Sequence, residues 1–257
     1  MRSFTAELGK GDSESRQGQP PKEAPARKPS IGAYTHMSLP SNQPVRKIAG
    51  KVMALKEACP YGIVVIGTSM GGLHALEVLL AGLPKNFPLP VAIAQHRHKT
   101  SDESLSAFLQ RQCVLPLSEA EDKEVIEPGH VYLAPADYHL LVEAESVAQR
   151  DSAYRFALST EAPVSYARPS IDVLFESAAD AYGERALGVI LTGASDDGSR
   201  GLASIKAKGG LALVQEPSTA ESPLMPKSAI AAVAIDWILP LSDIAPLIVN
   251  LCYPALR

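Results

Sequence analysis

Residues 62–72, Gly-Ile-Val-Val-Ile-Gly-Thr-Ser-Met-Gly-Gly, set a short β-branched apolar run directly against a glycine-rich turn. A run such as Gly62-Ile-Val-Val-Ile66 with no polar alternation fits a strand covered on both faces, as in a parallel sheet. Leu73, Leu76, Leu79 and Leu80 then recur at helical spacing, and Gly82 with Pro84 closes that helix. Strand, tight turn and helix therefore follow one another within 25 residues, and the same alternation continues downstream.

Val91 to Gln95 reads as a second strand, and a helix is expected from Ser101 to about Gln112. Residues 124–158 differ. Val131-Tyr-Leu133, His139-Leu-Leu-Val142 and Arg155-Phe-Ala157 are strand-like pieces divided by turn residues such as Pro128-Gly129, which predicts an antiparallel hairpin region. Beyond it the spacing predicts a helix over Ser170–Tyr182, a strand over Leu187–Leu191 and a helix over Ser199–Lys208. A strand over Leu211–Val214, a short helix over 226–232, a strand near Trp237–Leu239 and a last helix from Ser242 complete the pattern. Such alternation predicts an α/β fold: a doubly wound, mostly parallel, Rossmann-like sheet with an inserted antiparallel β-hairpin region.

The first 50 of the 257 residues have another character. They hold 6 of the 21 prolines and eight Lys or Arg against four Asp or Glu, whereas the remainder carries 16 against 24. A basic, proline-rich, apolar-poor segment buries too little surface to offset its ordering entropy. Residues 1–55 are thus expected to be a disordered basic extension, and 56–257 the folded domain. The net charge of −4 and the 5 % aromatic content argue against nucleic acid or anionic lipid as partner. No stretch approaches the ~20 apolar residues of a membrane span. The start has no apolar signal-peptide core, and three widely spaced cysteines without a C-x-x-C pair fit a reducing compartment, so a cytoplasmic setting is expected.

Three expected strand ends carry chemistry. Gly67-Thr-Ser-Met-Gly71 fits G-x-S-x-G between a strand and a helix, the context of a serine nucleophile elbow. The alternatives are a phosphate-binding loop and a purely structural turn. The dinucleotide pattern is incomplete, since Ser69 replaces its middle glycine and Gln95-His96 ends the second strand where an acidic residue is needed. His96 and His98 share parity, so either can face a cleft at the carboxyl edge of the sheet. Leu191-Thr-Gly-Ala-Ser-Asp-Asp-Gly198 ends a third strand, and Asp196 or Asp197 there can orient an imidazole or serve only as a turn residue. His74 is read as a helix residue, and His130 and His139 lack ligand spacing. The chain order Ser, His, Asp differs from the Ser, Asp, His order of α/β-hydrolases.

From about Gly62 to Leu251 the chain resembles the catalytic domain of the CheB family, the chemotaxis receptor methylesterases (protein-glutamate methylesterases). Ile66-Gly-Thr-Ser-Met-Gly-Gly72 and Gln95-His96 look like the family's serine turn and histidine. Pro128-Gly-His-Val-Tyr-Leu-Ala-Pro135, Arg168-Pro-Ser-Ile-Asp-Val-Leu-Phe175, Leu191-Thr-Gly with Asp197-Gly198, and Ala220-Glu-Ser-Pro-Leu-Met-Pro226 follow in the family's order. The resemblance implies Ser69 as nucleophile, His96 as general base and Asp197 as the residue orienting it. It further implies the backbone N–H groups of Met70 and Ala194 as an oxyanion hole, and Arg168 as a candidate for substrate steering. It implies hydrolysis of a protein γ-glutamyl methyl ester, with glutamine deamidation as a second activity, no metal and no cofactor. The implied partner is a methylated chemoreceptor or other methyl-esterified protein. Two departures, Met70 where the family has a hydroxyl residue and Ala194-Ser195 where it often has methionine and glycine, leave a non-catalytic module as the alternative. Family members usually begin with a receiver domain, which needs on the order of 120 residues. About 60 precede Gly62 here, so a free-standing catalytic domain is expected.

Overall fold

Why the elbow stretch folds as a central strand is visible in its burial: Ile63 to Thr68 are all buried. The structure, a computed structural model, describes residues 59–101, 104–145 and 153–253. The expected 1–55 extension lies outside the described residues. In chain order the elements are β1 (Ile63–Thr68), α1 (Gly72–Ala81), β2 (Val91–Gln95), α2 (Ser104–Gln110), β3 (Leu117–Glu119), β4 (Val131–Leu133), β5 (His139–Ala144), β6 (Tyr154–Ser159), α3 (Ile171–Tyr182), β7 (Ala186–Ile190), α4 (Ser199–Ala207), β8 (Leu211–Gln215), α5 (Leu224–Ala232), β9 (Trp237–Leu239) and α6 (Leu241–Cys252).

Seven strands form one sheet in the order β3-β4-β2-β1-β7-β8-β9, every pairing parallel. Successive side chains alternate between its faces. Ile63, Val65, Ala92 and Ala94 face a core formed with α3, α4 and α5. Val64, Ile66, Val91 and Ile93 face a second core with α1, α2 and α6. Chain direction reverses between β1 and β7: β2 leads away to one edge, β8 to the other. In sheets of this kind the crevice outside the carboxyl ends at that reversal is the ligand site.

The doubly wound parallel sheet matches the sequence expectation, and β5 with β6 forms the antiparallel ribbon. Val131–Leu133 departs from it. Rather than joining the hairpin, this segment is β4 of the main sheet, paired parallel with β2 and with β3. The cause is burial on both faces, which Val131, Tyr132 and Leu133 all undergo; the ribbon strand β5 has an exposed residue and two partly exposed ones. The helix expected from Ser101 to Gln112 is the shorter α2; residues 102 and 103 lie outside the described set.

Ile171, the first residue of α3 and fully buried, wedges under the crevice. A Cβ on Gly67 would stand 2.2 Å from its Cγ2, and a Cβ on Gly198 would stand 2.6 Å from the same atom. Glycine at these positions is what lets the ends of β1 and of the segment before α4 close onto α3. Gly67→Ala is expected to destabilise the protein by about 1–3 kcal/mol through overpacking. Ile171→Ala removes Cγ2, so the double variant should be more stable than the sum of the two single losses. Urea unfolding of the three variants checks this; strict additivity would contradict the contact.

Candidate active site

Ser69 and His96 directly follow β1 and β2, and Asp197 lies on the segment between β7 and α4, on the carboxyl side of the sheet at the reversal. The β1–β2 register pairs Thr68 with Gln95, and the His96 N–H donates to the Thr68 carbonyl at 3.0 Å, so Ser69 and His96 are the next cross-strand neighbours. Gln95, 7 % exposed, secures that pairing: its Nε2 donates to the carbonyls of both Ser69 and His96 at 2.9 Å.

His96 Nε2 lies 2.7 Å from Asp197 Oδ2. The Asp197 side chain is fully buried and His96 is 15 % exposed. Asp197 also accepts from the Ser170 hydroxyl at 2.9 Å, the Ile171 N–H at 2.7 Å and the Asp172 N–H at 3.1 Å. These donors form the N-terminus of α3, which favours negative charge through unpaired N–H groups and aligned peptide dipoles. Burial pushes the Asp197 carboxyl up, but the His96 hydrogen bond, the two backbone N–H groups and the imidazole's charge outweigh it, leaving the group below the ordinary aspartate range. An ionised carboxylate only accepts, so the His96 nitrogen facing it must be the N–H, and in the neutral ring Nδ1 carries the lone pair. His98 turns elsewhere, its Nδ1 lying 2.8 Å from the Thr100 hydroxyl. Asp196 is exposed.

The turn after Ser69 is sewn to the loop after β7. The Ser69 N–H and the Thr68 hydroxyl both donate to the Thr192 carbonyl, at 2.9 and 2.8 Å, and the Thr192 hydroxyl donates to the Met70 carbonyl at 2.8 Å. A Cβ on Gly193 would stand 3.0 Å from that of Ser69 and 2.5 Å from Met225 Cε, so this loop passes directly against the serine. Among the described residues, neither the Met70 nor the Ala194 N–H has an acceptor. The Ser69 hydroxyl likewise has none there, so of the possible Ser–His–Asp relay only the His96–Asp197 half is closed by a hydrogen bond.

Sequence reasoning missed Gln95, Thr192, Ser170 and Ser222 as scaffolding. Ser222 donates its N–H to the Thr192 hydroxyl at 2.9 Å and its own hydroxyl to the Gly193 carbonyl at 3.0 Å. The signal was present for all four, since each lies inside a stretch the sequence singles out: Gln95-His96, Arg168–Phe175, Leu191–Gly198 and Ala220–Pro226.

A cleft of about 530 Å³ opens beside His96, lined among others by His98, Lys99, Tyr166 and Arg168. Arg168 is committed within its wall, donating to Asp137 Oδ1 through Nη2 at 2.6 Å and Nε at 3.1 Å, and through Nη1 to the carbonyls of Thr160 at 2.7 Å and Glu161 at 2.9 Å. A larger concavity of about 700 Å³, between α2 and Tyr138, includes none of the three residues. No three His, Cys, Asp or Glu side chains among the described residues gather as metal ligands, and no helix there is long and apolar enough to cross a membrane.

The depressed Asp197 carboxyl makes a signed prediction. A group whose pKa is lower in the folded than in the unfolded state adds stability at pH values above its unfolded pKa, about 3.9 for aspartate, and loses it as pH falls through the folded value. The stability advantage of wild type over Asp197→Asn should shrink as pH falls from about 5 through the folded-state value. Urea midpoints measured across that range test it, and an advantage that grows on acidification would reverse the assignment.

Residues 64–248 match the family model described as CheB methylesterase. A putative protein-glutamate methylesterase/protein-glutamine glutaminase of Leptospira interrogans is 46 % identical over 191 residues, 74 % of this chain and 95 % of that relative. The protein-glutamate methylesterase/protein-glutamine glutaminase of Thermotoga maritima is 35 % identical over 196 residues, 76 % of this chain but 56 % of its own greater length. The crystal structure of the Thermotoga maritima CheB methylesterase catalytic domain superposes with a TM-score of 0.70 at 36 % identity, covering 74 % of this chain and 98 % of that one. With the sheet order, the strand-end residues and these likenesses in agreement, the chain belongs to the CheB methylesterase family.

Proposed function

We infer that this protein is a protein-glutamate methylesterase that works through Ser69, His96 and Asp197. The observation that carries the reading is the buried Asp197–His96 hydrogen bond at 2.7 Å beside the β1 elbow. It leaves the free imidazole nitrogen for the serine and unpaired N–H donors on both flanking loops. The family membership supports an active ester hydrolase over a non-catalytic module.

The reaction follows from the placement of these groups. His96 Nδ1 takes the hydroxyl proton of Ser69 as Oγ attacks the ester carbonyl, and Asp197 stabilises the imidazolium. Met70 and Ala194 N–H groups receive the developing oxyanion, worth about 3 kcal/mol for a well-placed donor. Collapse of the tetrahedral intermediate expels methoxide, which takes the proton from His96 and leaves as methanol. Water, deprotonated by His96, then attacks the glutamyl-serine ester; the carboxylic acid departs and Ser69 regains its proton. The same groups serve glutamine deamidation, with ammonia in place of methanol. Because both oxyanion donors are backbone groups, Met70 and Ala194 keep them whatever their side chains. We assign Arg168 to the cleft wall, since its donors already serve Asp137, Thr160 and Glu161; substrate steering would require it to release some of them.

The substrate we propose is a methyl-esterified glutamate on a chemoreceptor-type protein, in the cytoplasm. Incubation with a methyl-labelled chemoreceptor preparation should release methanol, and Ser69→Ala should lower the rate by about 10⁴-fold or more. Release that survives the substitution would remove Ser69 from the mechanism. Absence of release by wild type, with Ser69 still labelled by a fluorophosphonate, would redirect the search to another esterified protein.

A further inference from the structure

Asp197 lies on an irregular segment between β7 and α4, yet its carboxylate must hold one position for the imidazole. Its side chain is fixed by α3, as described above. Its backbone is fixed by a second carboxylate. Asp172, the second residue of α3 and 1 % exposed, accepts through Oδ1 from the Gly198 N–H at 2.9 Å and from the Gly201 N–H at 2.8 Å. Its Oδ2 accepts from Arg200 Nε at 2.9 Å, a residue whose side chain is 67 % exposed.

The two acids thus cross. Asp197, two residues before α4, places its carboxylate on the N-terminus of α3, and a residue in the first turn of α3 places its own on the N-terminus of α4. One closed ring results. The Asp172 N–H donates to Asp197 Oδ1, the chain passes from Asp197 to Gly198, and the Gly198 N–H returns to Asp172 Oδ1. Each hydrogen bond to a charged acceptor in a buried setting is strong and costly to lose. The helices meet closely here: a Cβ on Gly201 would stand 2.9 Å from the Asp172 carbonyl oxygen. Gly198 itself has φ +96°, so the backbone beside Asp197 is held in a conformation that glycine alone adopts readily.

We propose that Asp172 is a positioning residue for catalysis: by tethering Gly198 and Gly201 it fixes the backbone that aims Asp197 at His96. The inference rests on the triad assigned above, and the Asp172 carboxylate acts through Asp197 without touching substrate. Geometry, not charge, is the agent, because the ring needs one acceptor oxygen at Oδ1.

Two substitutions separate these. Asp172→Asn keeps that oxygen and removes the charge; Asp172→Ala removes both. The readout is the rate at which a small fluorophosphonate labels Ser69, alongside kcat and KM for methanol release, in variants whose circular dichroism and thermal unfolding show them folded. Asp172→Ala is expected to label between about tenfold and a hundredfold more slowly, the scale of a small misplacement in an active site, with kcat reduced in step and KM little changed. Asp172→Asn is expected to stay within a few-fold of wild type, as is Arg200→Met. Labelling of Asp172→Ala at the wild-type rate, or a fall in Asp172→Asn as deep as in Asp172→Ala, would overturn the proposal. Should Asp172→Ala not accumulate as folded protein, Asp172→Asn decides alone: a tenfold or greater loss refutes the tether. Labelling needs no protein substrate, so wild-type protein that labels but releases no methanol counts against the substrate assignment only.

Discussion

A carboxylate with no solvent exposure at all, Asp197, is the constraint around which the site is organised. Taking such a group out of water costs several kcal/mol unless hydrogen bonds and an opposite partner replace its hydration. Four donors do so, and three of them come from one helix N-terminus. The position of α3 is therefore part of the proposed catalytic geometry. Moving that helix away would strand the charge, and raising the carboxyl's pKa would cost the imidazole its ionic partner. This explains why the space above Ile171 is kept free by glycines on two other segments. Packing against the first residue of α3 and hydrogen bonding to Asp197 are two demands on the same few atoms.

The sheet supplies the second constraint. Strand ends at a direction reversal leave a crevice that no crossover helix covers, so polar groups there can face substrate while their backbones stay in a rigid ladder. Thr192 shows how the ladder extends past its last residue. Its carbonyl, hydroxyl and N–H engage Thr68, Ser69, Met70, Ser222 and Gln215, so hydrogen bonds tie the elbow, the loop after β7 and the loop before α5 together. Preorganised N–H donors act without reorganisation during the reaction only if their loops are held in this way.

The parallel sheet and the three candidate positions were legible because each strand end couples a buried apolar run to a residue type that such a run does not tolerate internally. Gln95-His96 after Val91–Ala94 is the plainest example. Periodicity could not distinguish His96 from His98 or Asp196 from Asp197, since parity and turn chemistry are the same within each pair; the helix N-terminus that receives Asp197 lies 25 residues away in the chain and is brought there only by the fold. Residues 131–133 misled for a related reason. Three apolar residues between turns carry no period, and whether they pair parallel or antiparallel depends on a partner, β2, about 40 residues upstream. The crossed carboxylates were illegible altogether. Asp172 reads as a first-turn acid of an ordinary helix, and nothing local says that its acceptor serves another helix.

Strand order also sets where the three proposed catalytic residues stand. His96 follows β2, Ser69 follows β1 and Asp197 follows β7, so base and acid stand on strands separated by the one that bears the nucleophile. His96 meets the carboxylate through its far ring nitrogen, Nε2, at 2.7 Å. That leaves Nδ1 as the nitrogen that the proposed mechanism assigns to Ser69. In the chymotrypsin arrangement the roles are reversed, with Nδ1 on the aspartate and Nε2 on the serine. The exchange requires no new residue type. The chain order Ser, His, Asp follows the connectivity, since the sheet is built outward from β1 to β2 first and returns to β7 on the other side.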